Sequence, residues 1–211
     1  MKIAVFGCSN GLGHIRRIIA ISCQLYRLGF KGELTAYVPK NHIQHMKTWH
    51  ECKLFLSNKN IKIVDFCYPK LPHPKTESIY DKSWNEIVIP ELTEYDVVWS
   101  DNISQIIGLR EDTILTGTFL WYDIFSRNTT NKQIEKFVVE QRDIIRSVMP
   151  TMISNDYFAT PEVKHYTKYQ PVGLYRYDSK VSVNSPEINN LKTDILFSCG
   201  LGGEEEGITK D

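Results

Sequence analysis

Apolar positions recur with two periods along the chain. Short solid runs alternate with longer stretches in which apolar residues return every three or four positions. "KIAVFG" (2–7) is a run of the buried-strand kind. "HIRRIIAISCQLYRLG" (14–29) follows it, with Ile15, Ile18, Ile19, Ser22, Cys23, Leu25 and Tyr26 at helical spacing and Gly29 as the stop. "ELTAYVP" (33–39) predicts a second strand, closed by Pro39. "NHIQHMKTWHECKLFL" (41–56) predicts a helix, and "IKIVDF" (61–66) a third strand.

"YPKLPHPK" (68–75) holds three prolines in eight residues and reads as a loop. "SIYDKSWNEIVIPEL" (78–92) predicts a helix disturbed near Pro90. "YDVVWSD" (95–101) is a fourth strand, "NISQIIGLR" (102–110) a short helix and "TILTGTF" (113–119) a fifth strand. "NKQIEKFVVEQRDIIRSVM" (131–149) is a long helix with apolar spacing of three and four. "PTMIS" (150–154) and "QPVGLY" (170–175) are further short strands.

This alternation predicts an α/β fold, a Rossmann-like doubly wound parallel sheet with helices on both faces and right-handed crossovers. The expected strand order is 3-2-1-4-5. Strands one and four then lie side by side where the winding reverses, and ligands bind there, outside the carboxyl ends of the strands. Residues 176–193 are polar and unpatterned, as in a linker. "DILFSCGLGGEEEG" (194–207) repeats the theme of a strand and a glycine loop, and the chain stops four residues later. The expected division is a first domain at 1–175, a linker at 176–193, and the start of an incomplete second domain at 194–211.

Composition narrows the function classes. The chain has 211 residues, 42% hydrophobic and 24% charged, as in an ordinary globular protein. Lys plus Arg and Asp plus Glu both count 25, so there is no basic excess to favour nucleic acid. The five cysteines are scattered, odd in number and without a CxxC pair. That fits reduced thiols and a cytoplasmic setting better than a disulfide frame or a zinc site. No stretch reaches the roughly 18 apolar residues of a membrane span. The opening "MKIAVFG" is too short for a signal-peptide core.

The chemistry concentrates in "FGCSNGLGHIRR" (6–17). Gly11 and Gly13 suit a tight turn from strand to helix, because glycine accepts positive φ and lets a ligand approach the backbone. The free N–H groups of a first helical turn can hold an anion or a sugar oxygen. A dinucleotide fingerprint would need glycine at 16, where Arg16 stands, and no Lys-Ser/Thr follows for a phosphate loop. His14 carries more information. A neutral imidazole can take a proton from a hydroxyl. The plain alternative is a histidine that only hydrogen-bonds the turn.

Asp101 ends the fourth strand as the His14 loop follows the first, so both face the same crevice. It can accept the second ring N–H of His14, or it can cap the helix that begins "NISQ". Asn102 can serve as that cap instead. Arg16 and Arg17 could meet a phosphate, but read as salt-bridged surface residues. "TFLWYDIF" (118–125) is an aromatic loop able to stack on a sugar ring or cover an apolar acceptor, with half of its rings in the core. His42, His45 and His50 read as a wet helix face and not as metal ligands. His73 and His165 fall in loops without a role.

Four segments together resemble glycosyltransferases built from two Rossmann-like domains, the GT-B fold. "GCSNGLGHIRRIIAISCQL" is similar to that family's amino-terminal motif. "YDVVWSDN" resembles its fourth-strand segment, "YQPVGLYR" the strand before the interdomain linker, and "DILFSCGLGGEEEG" the opening of the donor domain. The resemblance implies transfer of a sugar, with inversion, from a nucleotide-sugar donor to a hydroxyl acceptor (a glycan, a lipid or a small molecule). On it, His14 is the base and Asp101 orients it. Asn10, Gly11, Gly13 and Asn102 bind substrate, with Gly11 and Gly13 letting the loop approach the donor phosphates or the acceptor, while Gly200, Gly202 and Gly203 form the donor-side loop. It implies no metal and no cofactor beyond the co-substrate, and leaves room for a membrane surface or a partner chain. The chain departs from the pattern after Gly203, where the nucleotide-binding half would follow. A nucleotide-sugar hydrolase or epimerase on the same plan, or a non-catalytic module completed by another chain, are the rival readings.

Overall fold

The computed structural model describes residues 1–8, 11–66, 91–127 and 132–173. The chain divides into two units, Met1–Gly173 and Leu174–Asp211. The second lies outside the described residues, and with it the expected linker, the 194–207 segment and Gly200, Gly202 and Gly203. Asn10, His73, the proline loop and residues 78–90 of an expected helix also lie outside them.

The strands are β1 (Lys2–Gly7), β2 (Glu33–Val38), β3 (Ile61–Asp65), β4 (Val97–Asp101), β5 (Ile114–Thr116), β6 (Thr151–Asn155) and β7 (Lys168–Val172). Among the described residues they form one sheet in the order β3-β2-β1-β4-β5-β6-β7, with every neighbouring pair parallel. The helices are α1 (Leu12–Arg27), α2 (Lys40–His45), α3 (His50–Ser57), α4 (Trp121–Ser126), α5 (Lys132–Val148) and α6 (Pro161–Tyr166). This is the doubly wound α/β arrangement that the alternation of periods predicts.

Successive side chains of a strand point to opposite faces, and the two cores follow that rule. Ile3 and Val5 of β1 pack with Ile15, Ile18 and Ile19 of α1 and with Phe55 of α3. Ala4 and Phe6 pack on the other face, with Ile106, Ile107 and Phe137 and Ile145 of α5. The buried residues of α1 are Ile15, Ile18, Ile19, Ser22 and Cys23, the first five of the stripe read from the sequence, while Leu25 and Tyr26 are partly exposed. Cys23 and Cys52 are buried, unbridged thiols.

Local structure departs from the expected elements at several points. The helix expected over 41–56 is two helices. The chain breaks between them, so that Met46 is wholly buried while Phe55 reaches the same core. The Arg16 guanidinium lies over the Trp49 ring at this break, 4.1 Å from its centroid. The helix expected over 102–110 is a 3-10 turn, Ser104–Gly108, which buries the adjacent Ile106 and Ile107. The fifth strand ends at Thr116, because Gly117 turns the chain at φ 152°. The aromatic loop after it contains helix α4, with Tyr122 and Asp123 buried. His165 lies in helix α6, not in a loop. The last strand begins and ends earlier than expected, at Lys168–Val172.

Candidate active site

β1 and β4 are neighbours, and Gly7 pairs with Asp101 at their carboxyl ends. Position 101 has the parity of Val97 and Trp99, which belong to the core beneath α1. The Asp101 side chain is therefore directed to the α1 face of the sheet, where it is fully buried. α1 begins just after β1, with Gly11 as its first capping residue at φ 140°. Two further features bring its first turns onto the strand ends. Gly7 has no side chain, and a Cβ there would lie 2.7 Å from the Ile15 Cδ1 and 2.8 Å from the Ile18 Cδ1. Positions 14 and 17 share a helix face, so both side chains reach the same strand end.

The result is a convergence on one carboxylate. The His14 Nδ1 lies 2.7 Å from the Asp101 Oδ1. The Arg17 Nη1 donates to both carboxylate oxygens, at 3.2 and 3.1 Å. The Thr116 hydroxyl donates to Oδ2 at 2.8 Å and accepts from the Trp99 Nε1 at 2.7 Å. Thr116 reaches this face because its strand neighbour Leu115 points to the other core. A buried charge is tolerated only when paired and hydrogen-bonded, and Asp101 is both.

Against a carboxylate, Nδ1 of His14 is the nitrogen placed to donate, which leaves Nε2 as the ring's outward nitrogen. Among the described residues Nε2 makes no hydrogen bond. The His14 side chain is 13% exposed, so the ring is held but not sealed. The Asp101 carboxylate does not cap the following 3-10 turn, which has no side-chain cap. Arg17 is not a surface salt bridge, because its partner is wholly buried. Neither Arg17 nor Thr116 carries a sequence signal for this place. Thr116 is an ordinary strand residue until the register sets it beside β4.

Asn102 takes a left-handed backbone, φ 62°, and is nearly buried. With its carboxamide turned to match the neighbouring donor and acceptor, its nitrogen donates to the Phe119 carbonyl at 2.7 Å and its oxygen accepts from the Trp121 Nε1 at 3.2 Å. It ties the end of β4 to the aromatic segment after β5. There Trp121 packs edge-on to Phe119 and stacks against Phe125. Gly11 and Gly13 have open space where a Cβ would stand. His42, at the start of α2, has a buried Nδ1 without a partner among the described residues. Burial holds its pKa below the ordinary value, with His45 and His14 adding to the effect. Among the described residues no three His, Cys, Asp or Glu side chains gather as a metal site, and no helix is long and apolar enough to cross a membrane.

No family model matches the chain, and no curated protein matches it. Solved structures similar to it include two plant proteins. One is Arabidopsis thaliana UGT89C1 complexed with quercetin, at 10% identity and a TM-score of 0.44, covering 86% of this chain and 52% of that one. The other is Glycyrrhiza uralensis UGT73P12 complexed with glycyrrhetinic acid 3-O-monoglucuronide. It has 11% identity and a TM-score of 0.49, covering 82% of this chain and 48% of that one. The chain spans about half the length of each. The site is therefore read from its own geometry.

Proposed function

We propose that this chain is the acceptor side of a nucleotide-sugar-dependent glycosyltransferase, with His14 as its general base. The observation that carries the reading is the 2.7 Å contact of His14 Nδ1 with Asp101 at the adjoining ends of β1 and β4. It lies where the sheet reverses its winding, the usual ligand crevice of such sheets. The sequence resemblance to two-domain glycosyltransferases points the same way.

In this reading an acceptor hydroxyl meets Nε2 of His14. Its proton passes to Nε2 as the oxygen attacks the anomeric carbon. The bond to the departing nucleotide diphosphate breaks, and its electrons leave with the phosphate oxygen. Attack from the face opposite the leaving group inverts the centre. The imidazolium formed lies against the Asp101 carboxylate, which also fixes the ring's tautomer. Gly11 and Gly13 leave open space at the first turn of α1 for a substrate, and the sequence resemblance adds Asn10 to them. Asn102 holds Phe119 and Trp121 against the end of β4. The sequence resemblance assigns donor binding to Gly200, Gly202 and Gly203.

The test is release of nucleotide diphosphate from a panel of nucleotide-sugars by the protein, with and without hydroxyl acceptors. Acceptor-dependent release with a glycosylated product supports the proposal. Steady release without acceptor turns the reading to a hydrolase. No turnover with any pair, together with a second chain in the native mass spectrum, turns it to a binding module.

A further inference from the structure

We propose that Arg17 is a positioning residue that takes up the charge of Asp101 and so keeps His14 neutral, with Nε2 open to a proton. The inference rests on the reading of His14 as a base. Asp101 is fully buried and would be costly as an unpaired anion. A carboxylate 2.7 Å from an imidazole draws the ring towards the imidazolium. An imidazolium has no lone pair to offer a hydroxyl. Arg17 changes this balance, since its guanidinium is permanently charged and reaches both carboxylate oxygens. The carboxylate is then already neutralised, and the ring need only donate a hydrogen bond to it.

Three details favour this over a merely structural ion pair. Arg17 stands one helical turn after His14, so the rigid backbone of α1 fixes both groups against one carboxylate. The remaining donor to Asp101, the Thr116 hydroxyl, is neutral and itself held by Trp99, so it supplies geometry without charge. The neighbouring cation on the helix, Arg16, is directed to the Trp49 ring. The groups facing His14 are thus Asp101 from β4, Arg17 from its own helix and His42 from α2, whose imidazole is itself biased towards neutrality.

The experiment is a ¹⁵N NMR titration of histidine-labelled full chain, with the His14 signal assigned by its loss in His14→Gln. The proposal expects Nδ1 protonated and Nε2 bare at neutral pH in the native protein. In Arg17→Met the His14 midpoint should rise, because the Asp101 charge is then left for the ring to neutralise. Arg17→Gln keeps an amide donor to the carboxylate and so preserves the fold, and it should shift the midpoint the same way. Arg17→Lys should stay near the native value, and Thr116→Val should move it little. An unmoved midpoint in both neutral variants overturns the proposal. So does a shift in Thr116→Val as large as in Arg17→Met. The titration reads no sugar transfer, so its outcome and that of the transfer assay stand apart.

Discussion

Replacing Asp101 with asparagine keeps the shape of the side chain and removes its charge. The native carboxylate accepts from His14 at 2.7 Å, from Arg17 at 3.1 and 3.2 Å and from Thr116 at 2.8 Å, and is wholly buried. A carboxamide has one acceptor oxygen and one NH₂ group. Whichever way it turns, the NH₂ faces a donor. Charged hydrogen bonds contribute about 1.5–3 kcal/mol and neutral ones about 0.5–1.5 kcal/mol, so two weakened bonds and one donor–donor clash lose roughly 3–5 kcal/mol. The Arg17 side chain is 28% exposed, and solvent recovers part of that loss. The expected cost is about 2–4 kcal/mol, or roughly 4–16 °C in Tm for a domain of this size. Urea unfolding followed by far-UV circular dichroism reads it as a lower midpoint at unchanged slope. A midpoint equal to the native one would mean that the convergence on Asp101 stabilises nothing.

Other variants test the supporting structure. Gly7→Ala sets a methyl 2.7–2.9 Å from Ile15, Ile18 and Val38. Overpacking of that kind should cost about 1–3 kcal/mol, seen as a lower Tm, and a Tm at or above native refutes the close seat of α1 on β1. Thr116→Val leaves the buried Trp99 N–H without its acceptor, a loss of about 1–3 kcal/mol readable in urea unfolding. Native stability there means the hydroxyl is dispensable. At the other end of β4, Arg110 donates to the Leu92, Tyr95 and Asp96 carbonyls and pairs with Asp112. The hydrogen bond from Arg110 lowers the Asp112 pKa below its ordinary 3.8. The stabilisation is therefore whole above that value and fades as pH falls through the lower, folded-state one. The native protein should be more stable than Asp112→Asn at pH 7, and the gap should close towards acid. A gap that widens in acid contradicts the sign.

The sheet was legible because its strands are short solid apolar runs and its main helices carry clean stripes. Ile15, Ile18 and Ile19 could belong to one face only, and the order of elements brought strands one and four together. The meeting of His14 with Asp101 followed from that topology. Arg17 and Thr116 were not legible as site residues, since their places depend on helix phase and sheet register and not on residue type. The aromatic run "WYDIF" hid helix α4, because it offers no polar face and no side-chain cap. Helix α6 did carry a signal in Thr160, Pro161 and Glu162, where proline opens the first turn. The break between α2 and α3 comes from burying Met46, which the local period cannot show.

The most direct test of the account is turnover by the His14→Ala protein with a nucleotide-sugar and a hydroxyl acceptor. Loss of a general base should lower kcat by about 10²–10⁴-fold with the fold intact by circular dichroism. Transfer at the native rate by that variant would contradict it.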